Sequence, residues 1–419
     1  MRRYESYKDS GVEWLGEVPS HWNLIPNKYI FKLRKNVVGK RSSEYDLLSL
    51  SLKGVVKRDM ENPEGKFPAE FDTYQEVKEG DFIFCLFDVE ETPRTVGLSS
   101  YHGMITGAYT IFETNNVDKK FIYYFYLNLD SDKRLKPLYK GLRNTISKET
   151  FFSFNTFIPP LSEQQKIAQF LDDKTAKIDQ AVDLAEKQIA LLKEHKQILI
   201  QNAVTRGLNP DVPLKDSGVE WIGQVPEYWE VKKMKFLFKD TSIKNKPDAT
   251  LLSVTQNRGV IPRNWLEERT VMPSGNLETF KFIQKDDFAI SLRSFEGGLE
   301  ICHHDGIISP AYTVLKYDKK FLNNGYYKYL FKCQKFISEM QTSIVGIREG
   351  KNISYEELKY SFLPIPQIIE QQKIAQFLDE KTAKIDQAIA LKTAHIEKLK
   401  EYKSVLINDA VTGKVQVSV

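Results

Sequence analysis

Cysteine is scarce in this sequence: its 419 residues include only three, Cys85, Cys302 and Cys333, which lie far apart. An odd number of widely spaced cysteines provides no disulfide framework and is typical of a reducing compartment. Long apolar runs are also missing, because no stretch approaches the roughly 18 consecutive apolar residues that a membrane-spanning helix needs. The first residues, MRRYESYKDSG, lack the apolar core of a secretion signal. We therefore expect a cytoplasmic protein that makes no contact with a membrane.

Motifs for catalysis and for metal binding are absent as well. The stretch GIREGK at 346–351 is one residue short of a phosphate-binding loop and is followed by Asn352 instead of Ser or Thr. NPEG at 62–65 and NPDV at 209–212 lack the second proline of the Asn-Pro-Pro-aromatic signature of adenine methyltransferases. CHHD at 302–305 has no second ligand pair at the spacing of a zinc site, so a turn is favoured. We expect no catalytic residue, metal or cofactor on this chain.

A strong excess of positive charge is missing too. The net charge is only +4 over the whole chain, and it is +2 over residues 23–160 and +5 over residues 230–367. Such a chain is not a nonspecific coat for nucleic acid, so any contact with DNA must be local. A hydrophobic fraction of 41% is sufficient for globular cores, and the length predicts two or three domains.

What the sequence does contain is an internal repeat with a single offset. Residues 8–22, KDSGVEWLGEVPSHW, recur at 215–229 with 11 of 15 positions identical, and residues 163–181 recur at 370–388 with 18 of 19 identical. Both pairs are 207 residues apart, so a unit of about half the chain has been doubled. The opening segment corresponds to the later linker, as in a circle cut at one point. We therefore expect the N- and C-termini to lie close together.

The second repeated segment begins a long amphipathic pattern. Residues 162–205 form a helix of 44 residues in this interpretation, which at ~1.5 Å per residue would span roughly 66 Å. Pro159 and Pro160 exclude helix upstream, Ser162 with Gln165 fits a capping box, and Gly207 is a C-terminal stop. Apolar residues recur every seven positions at Leu171, Ile178, Ala185, Leu192 and Leu199, and the copy places Leu378, Ile385, Ile389, Ile396, Leu399 and Leu406 on the equivalent stripe, with Lys392 in place of Ala185.

A stripe of this length cannot be buried in a small domain, whereas two copies can bury theirs against each other. We therefore expect an intramolecular antiparallel coiled coil. The alternative is an intermolecular coiled coil that makes a homodimer.

Between the repeated segments the two halves diverge, and these variable regions have mixed patterns. DFIFCLF at 81–87 and DDFAISL at 286–292 predict strands, while FIYYFYLNL at 121–129 and YYKYLFK at 326–332 favour helices. The predicted fold is α+β, with two similar mixed domains separated by the helix pair and related by a pseudo-twofold axis. The predicted segments are a lead-in (1–22), a first domain (23–160), a helix (161–206), a linker (207–229), a second domain (230–367) and a C-terminal helix with its tail (368–419).

Polar side chains that can reach DNA occur at matched places in the two variable domains. Base edges are read by Arg, Lys, Asn and Gln, and phosphates are bound by any well-placed cation. The candidate DNA-binding residues are Lys53, Lys57, Arg58, Arg94, Arg143, Asn144 and Lys148 in the first domain and Gln256, Asn257, Arg258, Arg263, Asn264, Arg293, Arg348, Lys351 and Asn352 in the second. By contrast Trp14, Trp22, Trp221 and Trp229 are the same in both copies, which favours shared packing over recognition.

The paired pattern resembles one protein family. The segments IPPLSEQQKIAQFLD and LPIPQIIEQQKIAQFLD, each preceded by a variable domain and an SGVEW lead-in, resemble the specificity (S) subunit of type I restriction-modification enzymes over essentially the whole chain. The resemblance implies that each variable domain is a target recognition domain for one half of a split, asymmetric DNA site. It also implies that the helices act as a spacer and as the docking surface for other subunits.

In such a system the partners would be double-stranded DNA, two methyltransferase subunits and motor-nuclease restriction subunits, with S-adenosylmethionine, ATP and Mg²⁺ bound by those subunits. The half-sites would lie about one turn of DNA apart, roughly 34 Å, if both domains reach the same face. The candidate residues for docking or helix pairing are Gln165, Phe170, Leu171, Ile178, Leu192, Gln372, Phe377, Leu378, Ile385 and Leu399. Two alternatives stay open: a stand-alone nuclease or methyltransferase with fused recognition domains, and a coiled-coil scaffold that binds proteins.

Overall fold

A computed structural model of the chain describes residues 2–59, 70–139, 144–256, 258–266, 276–292, 294–345 and 352–417. The chain forms two compact units: unit 1 comprises Met1–Ala185 with Ala394–Val419, and unit 2 comprises Glu186–Thr393. Each unit therefore contains one lead-in segment, one variable domain and parts of both long helices.

Unit 1 consists mainly of short antiparallel strands packed against helices. Its elements are β1 (Tyr7–Asp9), β2 (Glu17–Pro19), β3 (Asn23–Pro26), β4 (Phe31–Arg34), β5 (Leu48–Ser51), β6 (Gly54–Lys57), β7 (Gln75–Val77), β8 (Phe82–Phe84), β9 (Val96–Leu98), β10 (Gly103–Ile105), β11 (Thr110–Thr114), α1 (Lys119–Ser131), α2 (Lys148–Ser153), β12 (Asn155–Ile158) and the first part of α3 (Leu161–Arg206).

Unit 2 has the same succession with small additions. After the second part of α3 come β13 (Leu214–Asp216), β14 (Gln224–Pro226), β15 (Glu230–Lys233), β16 (Phe238–Thr241), β17 (Leu252–Thr255), β18 (Gly259–Pro262), β19 (Lys281–Ile283), β20 (Phe288–Ile290), α4 (Ser294–Gly297), β21 (Glu300–Ile301), β22 (Gly306–Ile308), β23 (Thr313–Tyr317), α5 (Asn324–Leu330), α6 (Gln334–Gln341), β24 (Ile344–Val345), β25 (Asn352–Ile353), α7 (Tyr355–Leu358), β26 (Phe362–Ile365) and α8 (Ile368–Val411), whose last part belongs to unit 1.

The two units share their strand pairing although their sequences diverge. The largest sheet has the order β4-β11-β8-β9 in unit 1 and β16-β23-β20-β21 in unit 2. The smaller antiparallel pairs also match: β1-β2 with β13-β14, β3-β12 with β15-β26, β5-β6 with β17-β18, and β7-β10 with β19-β22. The predicted α+β fold with two similar domains is confirmed, as are the strands at Phe82–Phe84 and Phe288–Ile290 and the helices α1 and α5.

The long helices α3 and α8 pair in antiparallel orientation. In unit 2, Lys392 Nζ donates to Gln188 Oε1 at 2.6 Å, and Lys196 Nζ donates to Asp386 Oδ2 at 2.6 Å, so residue numbers rise along one helix as they fall along the other. Unit 1 contains the equivalent ion pair, Lys403 Nζ to Asp179 Oδ2 at 2.6 Å. The predicted intramolecular helix pair is confirmed, and Lys392, which interrupts the apolar stripe, is accommodated by a polar partner.

The predicted capping box at the start of the first long helix is wrong. The helix begins at Leu161, so Ser162 lies inside its first turn. The backbone N–H groups of Glu163 and Gln164 donate to Pro160 O at 2.8 and 3.0 Å, which makes the residue after the double proline the natural first helical position. The predicted stop is confirmed, because Gly207 has a positive φ of 74°.

The repeated lead-in segments contribute to the cores, and the chain ends meet in unit 1. Trp22 and Trp229 are fully buried and Trp221 nearly so, whereas Trp14 is half-buried and packs against the unit 1 core. The predicted packing role of the four tryptophans is confirmed. The N–H of Gln416 donates to Arg2 O at 2.8 Å, so the predicted closeness of the termini is confirmed. Among the helices that the structure describes, none is both long enough and apolar enough to cross a membrane.

Candidate nucleic-acid interface

A cleft in unit 2 lies beside the turn of the β17–β18 hairpin. It has a volume of about 730 Å³, and one side is formed by α3 and α8 through Lys196, Ile200 and Asp386. The hairpin side contributes Gln256 and Arg258, two of the predicted DNA-binding residues. The lining also includes three cationic or imidazole side chains, Lys328, Lys332 and His303, and the acidic Glu296 and Glu300. The cleft thus brings predicted base-reading side chains next to lysines, a residue type that binds phosphates. Each of these lysines also has an acidic partner: Lys196 pairs with Asp386, Lys328 with Asp379 and Lys332 with Glu300.

The tip of this hairpin is attached to the body of the domain by a lysine. Lys332 Nζ donates to Gln256 O at 2.9 Å and also forms an ion pair with Glu300. The Glu300 carboxyl is only 3% exposed, and this burial raises its pKa to about 7 despite the adjacent Lys332. A buried acid therefore anchors the cation that holds the tip.

Unit 1 has a smaller cleft, of about 350 Å³, at the corresponding place beside the β5–β6 hairpin. Here Leu52 and Arg94 lie opposite Lys400 and Lys403 of α8. Arg94 Nη2 donates to Leu52 O at 2.7 Å, so this predicted DNA-binding residue holds the hairpin tip.

A buried carboxylate also stabilises the loop that carries Arg94. Asp130 is 3% exposed, accepts a hydrogen bond from the backbone N–H of Thr95 at 2.9 Å and pairs with Lys133 at 2.8 Å. Lys133 also donates to Thr92 O at 2.7 Å, so the loop that carries Arg94 is fixed at both sides.

The other predicted DNA-binding residues are spread around these hairpins. Lys53 is exposed in the β5–β6 turn, and Lys57 ends β6 and pairs with Asp46. Arg263 and Asn264 form a short 3-10 helix directly after β18. Asn144 lies four residues before Lys148, which is the first residue of α2. Asn352 is the first residue of β25, and Arg58 follows the last residue of β6. Arg143, Asn257, Arg293, Arg348 and Lys351 lie outside the described residues.

Two lysines on the long helices were missed as DNA-binding candidates. Lys196 lines the unit 2 cleft and Lys403 lines the unit 1 cleft. They are 207 residues apart, so they occupy the same position in the two repeats. The repeat offset is the signal that could identify them, whereas the family resemblance implied only a spacer and docking role for the helices.

The first two residues of the repeated EQQ motif have separate roles. Trp22 Nε1 donates to Glu163 Oε1 at 3.1 Å, and Trp229 Nε1 donates to Glu370 Oε2 at 3.0 Å, which joins each lead-in to the start of a long helix. Burial and the Glu163 carboxylate raise the pKa of Tyr4, whose hydroxyl donates to the same group at 2.6 Å.

The first glutamine of the motif is buried and bonds to backbone. Gln164 Nε2 donates to Pro159 O at 2.8 Å and its Oε1 accepts from Asp118 N at 2.8 Å, which is the N-cap of α1. Gln371 does the same for unit 2, accepting from Asn323 N at 2.8 Å. The identity of the first two residues of this motif in the two repeats is therefore explained by bonds within each unit.

The candidate docking and helix-pairing residues divide by exposure. Leu171, Ile178 and Leu378 are buried in the cores. Phe170, Leu192, Phe377, Ile385 and Leu399 are half-buried, whereas Gln165 and Gln372 are exposed.

The CHHD stretch forms a turn after β21. Cys302 is buried, its thiol donates to His304 O at 3.0 Å, and burial raises its pKa to about 12. Asp305 accepts from the backbone N–H of Lys285 at 2.7 Å. Within the described ranges, no group of three or more His, Cys, Asp or Glu side chains is arranged to hold a metal ion.

Comparison with known proteins is consistent over most of the chain. A family model described as the type I restriction modification DNA specificity domain matches residues 104–193. Two relatives come from Methanocaldococcus jannaschii. The MjaX specificity subunit of a type I restriction enzyme is 24% identical, with 99% of this chain and 97% of the relative covered. The MjaVIII specificity subunit is 26% identical over 75% of each chain.

Two solved structures have the same fold. One is a chain from work on complex assembly and conformational transition of the type I R-M system, with a TM-score of 0.70, 14% identity, and 95% of this chain and 99% of that chain covered. The other is the HsdS subunit from Thermoanaerobacter tengcongensis, with a TM-score of 0.53, 14% identity, and 95% and 98% covered. At this identity the likeness concerns the fold alone.

Proposed function

Because this chain belongs to the specificity subunits of type I restriction-modification systems, we propose that its two variable domains read the two halves of a split DNA target. The observation that carries the proposal is the pair of matched hairpins, β5–β6 and β17–β18. They occupy the same place in the same topology but present different side chains, as two readers of different sequences would. The target is then asymmetric, with half-sites about one turn of DNA apart, roughly 34 Å.

The chain itself supplies recognition and no catalysis. Two methyltransferase subunits that bind S-adenosylmethionine would modify one adenine in each half-site, which requires each base to be flipped out of the duplex. Motor-nuclease subunits that use ATP and Mg²⁺ would join them for cleavage. The complex would act in the cytoplasm.

Exposed aromatic residues support two equivalent docking sites for the methyltransferase subunits. Tyr29 in unit 1 is 67% exposed and Phe236 in unit 2 is 69% exposed, and they stand at the same repeat position, 207 residues apart. Phe236 lines a cleft of about 940 Å³ with Phe321 and Ile368, next to the start of α8. Charged side chains such as Glu230 and Lys320 also line it. Exposed apolar side chains often mark protein–protein interfaces. The surfaces that read the two different half-sites must differ between the repeats, so an exposed aromatic present in both is expected at a site for a partner that binds both repeats.

Exchange of one variable domain tests the reading function. Residues 23–160 are replaced by those of a relative with another target, and methylated sites are mapped in cells that carry the partner subunits. One half of the methylated sequence should change. Exchange of residues 230–367 is the matched experiment and should change the other half. If the methylated sequence is unaltered while the complex assembles, the chain does not read DNA in this way.

Charge introduced at the exposed aromatics tests docking. Tyr29→Asp or Phe236→Asp should each reduce the number of bound methyltransferase subunits from two to one, and the double variant should bind none, as measured by native mass spectrometry. Tyr402→Asp is the control, because Tyr402 is 51% exposed but corresponds to His195 in the other repeat. Retention of two subunits by the double variant would place the docking surface elsewhere.

A further inference from the structure

The turns of the matched hairpins are held by equivalent backbone atoms. Leu52 O in unit 1 and Gln256 O in unit 2 stand at the same position, one residue after the last residue of β5 and of β17. Each carbonyl accepts a hydrogen bond from a cationic side chain, Arg94 at 2.7 Å and Lys332 at 2.9 Å. The two cations come from non-equivalent elements, so the contact has been kept although the residue that makes it differs.

A hydroxyl braces each turn from inside. Ser51 Oγ donates to Gly54 O at 3.1 Å and accepts from the N–H of Lys53 at 3.2 Å. Thr255 Oγ1 donates to Gly259 O at 2.8 Å and accepts from the N–H of Arg258 at 3.1 Å. The described residues of both turns are therefore held by side chains on two sides. The second turn is one residue longer, and its middle residue, Asn257, lies outside the described residues.

Serine and threonine hydroxyls commonly brace turns in this way. What distinguishes these two turns is the cationic side chain that binds the same tip carbonyl in both units. The side chains at the tips are themselves exposed: Leu52 by 66%, and Lys53 and Arg258 also fall in the exposed class. A two-stranded ribbon fits the major groove, where Gln and Arg read adenine and guanine and apolar groups contact the thymine methyl. Rigid presentation increases the discrimination such side chains provide.

From these contacts we infer that Leu52 and Lys53 in unit 1 and Gln256 and Arg258 in unit 2 read bases, one hairpin for each half-site. Arg94 and Lys332 are positioning residues that hold the tip carbonyls of these hairpins. This rests on the proposed function. Arg94 and Lys332 act through the tip carbonyls rather than by contact with DNA. Loss of either cation should therefore relax recognition of one half-site only.

Lys332→Met and Arg94→Met test this in the complete complex with its methyltransferase partner. Methylation rates are measured on the cognate duplex and on duplexes with one base changed in either half-site. Lys332→Met should reduce discrimination roughly tenfold at the half-site read by unit 2 and leave the other half-site unchanged. Arg94→Met should reduce discrimination at the half-site read by unit 1 and leave the half-site read by unit 2 unchanged. The domain exchange described above assigns each half-site to its unit.

Controls separate positioning from other roles. Lys332→Arg should restore discrimination, and Lys335→Met, which removes an equal charge from an exposed residue of α6 outside the cleft, should have no effect. Binding to unrelated duplex DNA and its salt dependence should be unaltered in Lys332→Met. Weaker binding to every duplex with a smaller salt dependence would instead identify Lys332 as a phosphate contact and overturn the inference.

Unchanged discrimination in both methionine variants, or an equal loss at both half-sites, would also overturn it. If Lys332→Met does not fold, Glu300→Gln weakens the anchor of the same lysine and should relax the same half-site. Absence of half-site discrimination in the wild-type complex would be a failure of the proposed function and not of this inference.

Discussion

Replacement of Gln371 by leucine tests whether the repeated EQQ motif is held by bonds within unit 2. The Gln371 side chain is fully buried. It accepts from Asn323 N at 2.8 Å and donates to Pro366 O at 2.8 Å and to Phe321 O at 3.1 Å. Leucine has a similar volume but no polar atom, so all three backbone groups lose their partner.

The magnitude follows from these three groups. An unsatisfied buried polar group costs ~1–3 kcal/mol, and the Pro366 carbonyl is the one without access to water. The other two bonds are only part-buried, so water replaces them in part. Leucine regains about 1–2 kcal/mol by burying more apolar surface. The free energy of unfolding should therefore fall by about 2–4 kcal/mol.

Urea unfolding of the full chain, followed by tryptophan fluorescence, measures this loss. With a denaturant slope of about 2–3 kcal/mol/M, the midpoint for unit 2 should move down by roughly 1 M. Gln372→Leu is the matched control, because the next residue is exposed and its substitution should change stability by less than about 0.5 kcal/mol. Equal midpoints for the two variants would refute the hydrogen-bond account of the motif.

Three further predictions concern glycine, pH and surface charge. Gly413→Ala should lower the free energy of unfolding more than Gly207→Ala. Both glycines have φ near +73°, which costs about 1–2 kcal/mol for alanine. The new Cβ at position 413 would lie 2.3 Å from the ring of Pro19, whereas the one at position 207 would lie 3.0 Å from the side-chain carboxylate of Glu370. Equal losses of Tm would contradict this. Burial raises the pKa of Glu300 from 4.5 to about 7, so the folded state holds the proton more tightly than the unfolded state. The stability of the wild type relative to Glu300→Gln should therefore decline as the pH rises from 4.5 to 7 and then level off. Urea midpoints of the two proteins that run parallel across this range would contradict this prediction. Lys196→Ala should lower stability by less than about 1 kcal/mol, because its ion pair is solvent-exposed, and a double-mutant cycle with Asp386→Ala measures the coupling.

Much of the fold was predictable because periodicity and repetition are local properties of a sequence. The seven-residue spacing on α3 requires a long helix with one apolar face, and a second copy of the stripe provides a surface to cover it. The shared offset of 207 residues likewise predicted the neighbouring chain ends and the packed tryptophans. The start of α3 was misjudged by one residue, because Ser162 is a good cap in isolation but the double proline before it sets the first turn.

The candidate DNA-binding surface was predictable only in part. The polar residues around the β5–β6 and β17–β18 turns follow from sequence, because loops with Arg, Gln and Lys recur at matched places. The role of Arg94 does not follow, since nothing local shows that its guanidinium reaches Leu52 O, 42 residues away. Lys332 and Gln256 are 76 residues apart, and only the folded chain brings them together.

The sequence alone thus determines the duplication, the helix pair and the two-domain plan, because each depends on patterns within one segment or between identical segments. Tertiary structure decides which cations hold the hairpin turns and which lysines of the helices join the clefts. These contacts join segments that have no common pattern. They depend on how each diverged domain packs its own loops, and side-chain packing at long range is not encoded in any local spacing.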